Sequence, residues 1–294
     1  MVHATDRRCS GAGRSAYLVW IGLAGLALGC SSCSGFFDPA PDQQISKRTY
    51  YEFRRLPEAP EELQQMARSL YHEDAEPAEM ARALLASCRL SDLEPQSAEA
   101  YFLAGRACGW LEDYGEPTVC YDAKRARTVV VDCVELAELA VQLAPVDANA
   151  LYSLALNMGL KLEHSSIAQA SVIIKPFMNT LEKVIKLDAS VDEGGALRIL
   201  GALYLKAPPW PTGPGDLDKA LELLERAAAE HPEHPLNHLF LAEAQLEDEA
   251  PKEARKSVEV ASSLLDPDKY FWRAERWQRR LEKVEKRVIA ALEK

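Results

Sequence analysis

The sequence predicts an all-α protein in which antiparallel helix pairs repeat along the chain and stack into a curved solenoid. Apolar and small residues recur at i, i+3, i+4 and i+7, which is the spacing of one helix face. In four of these patterns a Gly or Ala takes the same place, where a small side chain lets a second helix pack closely. Pro residues follow the helix pairs, where the missing N–H of Pro costs little. These four small residues, which we call the crossing residues, are Gly105, Ala155, Gly201 and Ala242.

The crossing residues stay in register along the chain, and each pattern comes after a helix that has ended. A helical hairpin of about 34 residues, with small residues at its crossing and a terminal Pro, resembles the tetratricopeptide repeat. The crossing residues here are farther apart than one such repeat, so we expect lengthened loops. One pattern alone would be weak evidence, but four in register favour a repeat array over the alternative, an irregular helical bundle.

The same spacing predicts the individual helices of a repeat domain over residues 61–294. The helices expected in its first half span residues 61–71, 78–90, 100–110 and 122–143. Another helix is expected to start at Pro176, since Pro is tolerated in a first turn. The first-helix positions after 100 are filled by Tyr101, Ala104, Gly105 and Cys108, by Leu151, Leu154, Ala155 and Met158, by Leu197, Leu200, Gly201 and Tyr204, and by Leu241 and Ala242. The second-helix positions are filled by Cys133, Ala137 and Ala140, by Phe177, Leu181 and Val184, by Ala220, Leu224 and Ala227, and by Ala254, Val258 and Ala261.

The last segment, residues 268–294, is predicted to be one amphipathic helix. Its apolar stripe consists of Phe271, Ala274, Trp277, Leu281, Val284 and Val288. A solenoid has an open end whose apolar face must be covered, so a capping role is expected. The alternative role for this helix is oligomerisation.

Residues 1–29 are predicted to be a signal peptide. Three Arg residues precede the apolar run Ala16–Leu28, which is too short to span a membrane comfortably. The run ends in Leu-Ala-Leu-Gly-Cys at Cys30, a pattern that resembles a bacterial lipobox, in which the Cys becomes lipidated. Cys33 is an alternative lipidation point. An ordinary signal peptide cut near Gly29, or an uncleaved anchor, is the other interpretation.

The residues after Cys30 predict where the anchored protein resides. Ser31 and Ser32, rather than Asp, follow the Cys, which in Gram-negative lipoproteins implies the outer membrane and a periplasm-facing domain. Residues 30–60 are rich in Ser, Pro, Asp and Gln and are predicted to be a lipidated tether without regular structure. Its aromatic residues Tyr50, Tyr51 and Phe53 are candidates for docking on the repeat domain.

Charge and composition limit the classes of partner. The chain has 294 residues, is 48% hydrophobic and carries a formal net charge of −11. We interpret the folded part as lacking a cluster of Lys and Arg with interleaved aromatics. Nucleic acid is therefore not an expected partner, because phosphate contacts supply most of that affinity. The acidic charge also disfavours lying flat on an anionic bilayer.

A second resemblance covers about residues 80–265 and is strongest over residues 196–245. Here Tyr204-Leu-Lys-Ala-Pro-Pro-Trp-Pro211 precedes Gly215-Asp216 and the helix of Ala220. This run is similar to the T-component lipoproteins associated with TRAP transporters. The resemblance implies a periplasmic repeat lipoprotein that engages the transporter's solute-binding protein and passes an apolar or anionic ligand through a central channel. It also implies homo-oligomers, as trimers, and a role for residues 207–215 in gating or lining the channel; the alternative is a rigid connector.

The candidate binding residues follow from the repeat geometry. In such an array the first helices line the concave face, and positions counted from the crossing residues predict which side chains point there. An aromatic and Arg mixture suits an extended peptide, or a ligand with an apolar body and an anionic end. The alternative is a solvated inner surface without a ligand. The predicted ligand or partner surface comprises Phe102, Arg106, Asn149, Tyr152, Leu156, Arg198, Ala202 and Trp210.

Four cysteines remain after the predicted signal peptide and Cys33. An oxidising periplasm permits two disulfides among Cys88, Cys108, Cys120 and Cys133, with three connectivities. Hairpin register favours Cys108–Cys133, which leaves Cys88–Cys120. The alternative is that Cys108 and Cys133 are merely small buried residues.

No enzyme, cofactor or metal site is predicted. His231, His234 and His238 lie close together in sequence, but Pro232 and Pro235 break the segment into a turn, which favours a connection between repeats over a metal site. A Gly-rich phosphate loop after a strand and a nucleophile elbow are both missing from the sequence. The sequence thus favours a binding protein, with an envelope-assembly or secretion scaffold as the alternative to a transport accessory.

Overall fold

The computed structural model describes residues 41–72 and 75–293, which fold almost entirely into helices. Twelve helices and one two-stranded hairpin follow one another in this part of the chain. They are α1 (Pro41–Arg54), α2 (Pro60–Leu70), α3 (Pro77–Leu93), α4 (Ala98–Tyr114), β1 (Val119–Asp122), β2 (Arg127–Val130), α5 (Cys133–Leu143), α6 (Ala148–Glu163), α7 (Ile167–Leu187), α8 (Gly195–Lys206), α9 (Leu217–Glu230), α10 (Pro235–Glu247), α11 (Pro251–Leu264) and α12 (Pro267–Leu292). None of the described helices is long and apolar enough to cross a membrane. The predicted signal peptide, Cys30 and Cys33 lie outside the described residues.

The prediction of an all-α array of helix pairs is confirmed. The crossing residues are all buried, and each belongs to the first helix of a pair. A Cβ added to Gly201 would lie 2.7 Å from Cγ of Leu224, so the helices α8 and α9 approach too closely there for any side chain. The corresponding Cβ on Gly105 would lie 3.4 Å from Ala137 of α5. Small residues therefore set the distance between paired helices, as the pattern predicts.

Helix starts follow local capping rules. Asp132, Asp147 and Asp216 each accept hydrogen bonds from backbone N–H groups in the first turn of α5, α6 and α9, which satisfies donors that the helix leaves free. Pro occupies the first turn of α2, α3, α10, α11 and α12. In that position the missing Pro N–H removes no helical hydrogen bond.

The prediction of a long helix over 122–143 is wrong in its first half. The antiparallel strands β1 and β2 form there instead, with Cys120 opposite Val129, and α5 begins only at Cys133. The run Thr128-Val-Val-Val131 is β-branched throughout, which favours a strand over a helix. The hairpin is an insertion between the two helices of one repeat.

Two disulfides stabilise the region around this insertion. Cys88 of α3 is bonded to Cys120 of β1, and Cys108 of α4 is bonded to Cys133 at the start of α5. This is the connectivity that hairpin register favours. The hairpin is thus bonded to α3, and the second bond joins α4 and α5, the helices on either side of it.

The predicted absence of regular structure over residues 30–60 is wrong for Pro41–Arg54, which forms α1. The rings of Tyr50 and Phe53 lie 5.5 and 4.7 Å from the ring of Tyr121 on β1. Arg89 of α3 adds a guanidinium 5.0 Å from the Phe53 ring centroid. Contacts with the hairpin therefore stabilise a helix that its own sequence, with little apolar periodicity, does not predict.

The predicted helix start at Pro176 is also wrong, because Pro176 lies inside α7. The helix starts nine residues earlier, at Ile167, after a capping box in which Ser166 and Gln169 bond each other's backbone N–H groups. Pro176 has no N–H to donate to the carbonyl of Val172, four residues earlier. Val172 is exposed, so water can bond to that carbonyl instead. This mid-helix Pro is tolerated because it sits on the solvent side.

The C-terminal helix α12 covers the end of the array, as predicted. Leu281, Val284 and Val288 are buried in one apolar cluster with Leu239 of α10 and Val258 of α11. The side chain of Phe271 is outside the described set, and Ala274 is buried while Trp277 is half-buried. The second half of α12 is therefore the cap, whereas its first half makes a different set of contacts.

Candidate binding surface

The first helices of the pairs, α4, α6, α8 and α10, present two equivalent rows of residues. One row lies three residues before each crossing residue and the other lies one residue after it. Since the crossing residues face the paired helix, both rows belong to one side of the array, which we call the inner surface. The first row is Phe102, Tyr152, Arg198 and Leu239, and the second is Arg106, Leu156, Ala202 and Glu243.

Two of the predicted surface residues are instead buried in a polar network. Arg198 is only 5% exposed, and its guanidinium donates to Asp192 Oδ2 and to Asn237 Oδ1, each at 2.7 Å. The Tyr152 hydroxyl donates to the same Asp192 oxygen at 2.6 Å. Burial, first, and the nearby Asp192 charge raise the pKa of Tyr152 well above its ordinary value, so the hydroxyl keeps its proton. Both side chains are therefore bonded to Asp192 of the turn before α8, and Arg198 is also bonded to Asn237 of α10, so neither is free to bind a ligand.

The network fixes the turn between α7 and α8. Asp192 and Glu193 have φ of 53° and 49°, in the left-handed region that non-Gly residues seldom adopt. Asn237 Nδ2 donates to the carbonyl of Glu193 at 3.0 Å and to that of His231 at 2.8 Å. The buried Arg198 and Asn237 thus stabilise a costly backbone conformation from the next repeat.

His234 belongs to the same region and caps α10. Its Nδ1 accepts a hydrogen bond from the backbone N–H of Leu236 at 3.2 Å, which requires an unprotonated Nδ1. Burial, followed by the charge of Arg198, lowers the pKa of His234 to about 3, so the imidazole is neutral at physiological pH. His231 and His238 lie at the neighbouring turn, and no group of metal-binding side chains is present in the described ranges.

The first half of α12 lies against inner-surface positions. Arg280 Nε and Nη2 donate to the two oxygens of Glu243 at 2.6 and 2.7 Å, a bidentate pair with a half-buried guanidinium. Arg276 Nη1 donates to Asp113 Oδ1 on α4 at 2.8 Å, across 163 residues of sequence. The Trp277 ring lies 5.7 Å from the ring of His234. This half of α12 therefore connects the last repeat with α4.

Sequence reasoning missed this set of contacts. Residues 269–280, KYFWRAERWQRR, are a Lys and Arg cluster with interleaved aromatics, so the interpretation that none exists in the folded part is wrong. Its Arg276, Arg279 and Arg280 all pair with carboxylates of the same chain. The position of Glu243 on the inner surface could have been predicted, because it follows the crossing residue Ala242 by one residue, as Arg106, Leu156 and Ala202 follow theirs. Asp113 and Asp192 carry no such periodic signal.

The other predicted residues remain accessible to different degrees. Leu156 is 43% exposed in the middle of the second row, and Asn149 is exposed near the start of α6. Phe102 and Arg106 are half-buried, with the Arg106 guanidinium 3.7 Å from the Tyr71 ring centroid and 5.3 Å from that of Phe102. Ala202 is half-buried next to Arg198, whose side chain is bonded within the polar network. The open part of the inner surface thus centres on Leu156, with cation and aromatic groups toward α4.

Trp210 lies outside both rows, on the loop between α8 and α9. Its side chain is 85% exposed, and the loop around it is held by backbone hydrogen bonds from Gly215 to Pro208 (2.9 Å) and from Asp216 to Tyr204 (3.0 Å). Clefts of about 480 and 380 Å³ lie beside the hairpin and beside α2, and neither is lined by any of the eight predicted surface residues. The structure therefore presents Trp210 as a protruding side chain on an ordered loop.

Comparison with known proteins agrees with this geometry. Residues 213–276 match the family model of the tetratricopeptide repeat. None of the curated proteins compared with this sequence matches it. A thermophilic TPR protein of Thermus thermophilus is 16% identical, with a TM-score of 0.50 over 80% of this chain and 99% of that chain.

Two further likenesses are to IFIT1. A monomeric mutant of IFIT1 with m7Gppp-AAAA is 18% identical, with a TM-score of 0.52 over 86% of this chain and 52% of that chain. The human IFIT1 dimer with m7Gppp-AAAA is also 18% identical, with a TM-score of 0.50 over 80% of this chain and 50% of that chain. At these identities the likeness shows the fold alone. The described part of the chain is a helical-repeat protein with the tetratricopeptide fold; the matches do not distinguish a TRAP T-component from other proteins of this fold.

Proposed function

We propose that this protein is a non-catalytic, periplasm-facing lipoprotein, anchored through Cys30, that binds a protein partner on its inner surface. The observation that carries the proposal is the exposed side chain of Leu156 in the second row, with the half-buried Phe102 and Arg106 toward α4. An apolar side chain left open between aromatic and Arg groups is the composition of protein-binding surfaces rather than of a solvated face. Tetratricopeptide folds generally bind proteins or peptides, which supports the same class of partner.

Two disulfides support an exported domain. Such bonds persist in oxidising compartments and are rare where thiols are kept reduced. The predicted lipobox at Cys30 and Ser31-Ser32 supports anchoring at the outer membrane. By the resemblance that is strongest over residues 196–245, the partner is the solute-binding protein of a TRAP-type transporter, and the functional unit is a trimer.

The structure favours a protein partner over the central ligand channel. Tyr152 and Arg198 would line such a channel, but both are buried in the network with Asp192 and cannot receive a ligand without breaking it. Neither cleft is bordered by Leu156 or Trp210. We therefore place the ligand, if one is carried, on the partner.

Photo-crosslinking in the native envelope tests the proposal. A photoreactive amino acid replaces Leu156, and a matched control replaces Glu138, which is exposed on the second helix α5. We expect a crosslink to one periplasmic protein from position 156 and none from position 138, with mass spectrometry to identify it. A solute-binding protein supports the transport role, an outer-membrane assembly factor supports the scaffold alternative, and equal crosslinking from both positions contradicts a partner on the inner surface.

The lipid anchor needs its own measurement. Labelling with a fatty acid should mark the wild-type chain and not Cys30→Ala, whereas Cys33→Ala should leave the label in place. Label that is lost only with Cys33→Ala would move the anchor to Cys33. Absence of label on the wild-type chain would contradict lipidation.

A further inference from the structure

The first half of α12, residues 267–280, contacts the first helices of the array mainly through charged and aromatic side chains. It is not part of the apolar cluster that forms the cap, which takes Leu281, Val284 and Val288 from the second half. Its polar contacts instead go to acidic groups of the first helices, Asp113 on α4 and Glu243 on α10. Its Trp277 ring contacts His234 at the start of α10. One helix therefore makes two different sets of contacts, with the boundary near residue 280.

The contacts are complementary in charge. The chain carries a formal net charge of −11, yet residues 269–280 contain five cationic side chains and one carboxylate, KYFWRAERWQRR. On the receiving side, Glu243 lies at the inner-surface position that holds Arg106, Leu156 and Ala202 in the other repeats. A basic segment with aromatic residues thus pairs with two carboxylates of the inner surface, and Lys206 lies beside one of them, 4.0 Å from Glu243.

The contacts of this segment are of a kind that a competing helix could replace. The Arg276–Asp113 pair is solvent-accessible, with the Arg side chain 54% exposed, and exposed pairs hold weakly. Arg280 is held more firmly by two hydrogen bonds and by the Phe240 ring 3.9 Å from its guanidinium. Release of residues 267–280 would expose the buried side chains of Tyr270 and Ala274, but it would leave Leu281, Val284 and Val288 in place, so the cap need not unfold.

We propose that residues 267–280 are a displaceable internal ligand, and that the inner surface beneath them takes a basic, aromatic-containing helix of the partner protein in their place. This deepens the proposed function and rests on it, since it names the chemistry of the partner segment. Helix-in-groove recognition uses the same kind of contacts, an amphipathic helix laid on a complementary surface. Because the internal segment is tethered, it competes at high effective concentration and keeps the surface closed until a partner is near.

Amide hydrogen exchange on the full chain tests displaceability. We expect the amides of residues 270–280 to exchange at least about tenfold faster than those of 283–290, because local opening exposes only the first half of the helix. Equal protection of the two halves would show that α12 opens only as a unit, and it would overturn the proposal.

A peptide with the sequence of residues 266–283 tests the surface. We compare its fluorescence anisotropy with the wild-type chain and with Arg276→Ala/Arg280→Ala, which weakens the internal segment. The matched control is Arg279→Ala/Arg287→Ala, which removes the same charge but whose Arg residues pair with Glu275 of α12 itself and with Glu247. We expect the first variant to bind the peptide at least about tenfold more tightly than the wild type or the control.

Two further results decide the chemistry. Adding Asp113→Ala and Glu243→Ala to the first variant should abolish binding, and a peptide whose Arg residues are replaced by Glu should not bind. Circular dichroism and exchange protection of residues 283–290 confirm that each variant keeps its fold. Failure of a folded first variant to bind the peptide, or equal binding of the Glu peptide, overturns this proposal. A crosslink at Leu156 together with such a failure would leave the proposed function standing and remove only the basic-helix partner.

Discussion

Four helix pairs contain a crossing residue, and the first and last of them, which we call the two ends, are held together by different means. In the pair of α4 and α5, the disulfide between Cys108 and Cys133 joins the helices, and the hairpin between them is bonded to α3 through Cys120. The pair of α10 and α11 has a hydrogen bond from Ser257 to Gln245 at 2.8 Å and is covered by α12. Covalent bonds therefore constrain the first end, and packing together with ion pairs constrains the second.

This difference shows where each end can move. The first end carries an insertion, β1 and β2, that adds little apolar core of its own, so crosslinks to its neighbours replace the missing packing. The second end has regular repeats and a cap, so it needs no crosslink, and its first half of α12 can open. Substitutions at either end, and a change of pH, can distinguish these two modes of attachment.

Removing the Cys108–Cys133 bond should have the largest effect. The bond closes a sequence separation of 25 residues, and the double substitution to Ala should lower the free energy of unfolding by about 3 to 4 kcal/mol. Urea unfolding measures the loss, and hydrogen exchange should place it in α4, α5 and the hairpin. The double substitution of Ser257 and Gln245 to Ala is the matched control at the other end, with an expected loss of about 1 kcal/mol. Equal losses from the two changes would contradict the contrast between the ends.

Acid should weaken the second end through His234. Its pKa is about 3 in the folded protein and near 6.5 when unfolded, so the unfolded state binds more protons between those values and stability falls as the pH falls from about 6.5 toward 3. Going from pH 7 to pH 4, this residue should remove up to about 3 kcal/mol. His234→Asn keeps a cap without titrating, so the wild type should lose more stability than the variant over this range. The same pH dependence in both proteins would contradict the assignment.

Replacing the crossing glycines with Ala should give the next largest difference in stability, between Gly201→Ala and Gly105→Ala. Gly201→Ala places a methyl group 2.7 Å from Cγ of the fully buried Leu224, and overpacking of this kind should cost about 1 to 2 kcal/mol. Gly105→Ala meets Ala137 only at 3.4 Å, and the gain in helix propensity offsets the contact, so its stability should change by less than about 1 kcal/mol. Thermal unfolding of the two variants measures the difference. A larger loss from Gly105→Ala would show that α4 and α5 are the tighter pair.

Trp210→Ser should have the smallest effect on stability. The side chain is 85% exposed, so its replacement should change the free energy of unfolding by less than about 0.5 kcal/mol. A loss above about 1 kcal/mol would instead mean that the indole packs on the array. The comparable change Leu281→Ser, in the buried cap, should be severely destabilising and serves as the opposite limit.

The spacing of small and apolar residues was enough to predict the helix pairs, because burial of one helix face leaves a local periodic record. Gly201 and Ala242 could be placed at crossings for that reason, and Cys108 opposite Cys133 followed from the same register. The hairpin was missed because a short insertion leaves no helical period, although the β-branched run at 128–131 was a signal. Helix α1 was missed because its order depends on Tyr121, which is distant in sequence.

The binding surface was less predictable than the fold. The offsets that placed Leu156 and Arg106 on the inner surface also placed Arg198 there, but a periodic pattern cannot show that Asp192 and Asn237 reach the same point from a loop and from another repeat. Nor could it show that Arg276 and Arg280 would meet Asp113 and Glu243. Contacts between distant segments decide which inner residues are free to bind.

If the protein is anchored as proposed, the docking of α1 would also limit how far the array can stand from the membrane. If Cys30 holds the lipid, only residues 31–40 separate the anchor from a helix already attached to the array. However those residues are arranged, they reach at most about 35 Å when fully extended. With such an anchor, the first residue of α1 would stay within that distance of the lipid.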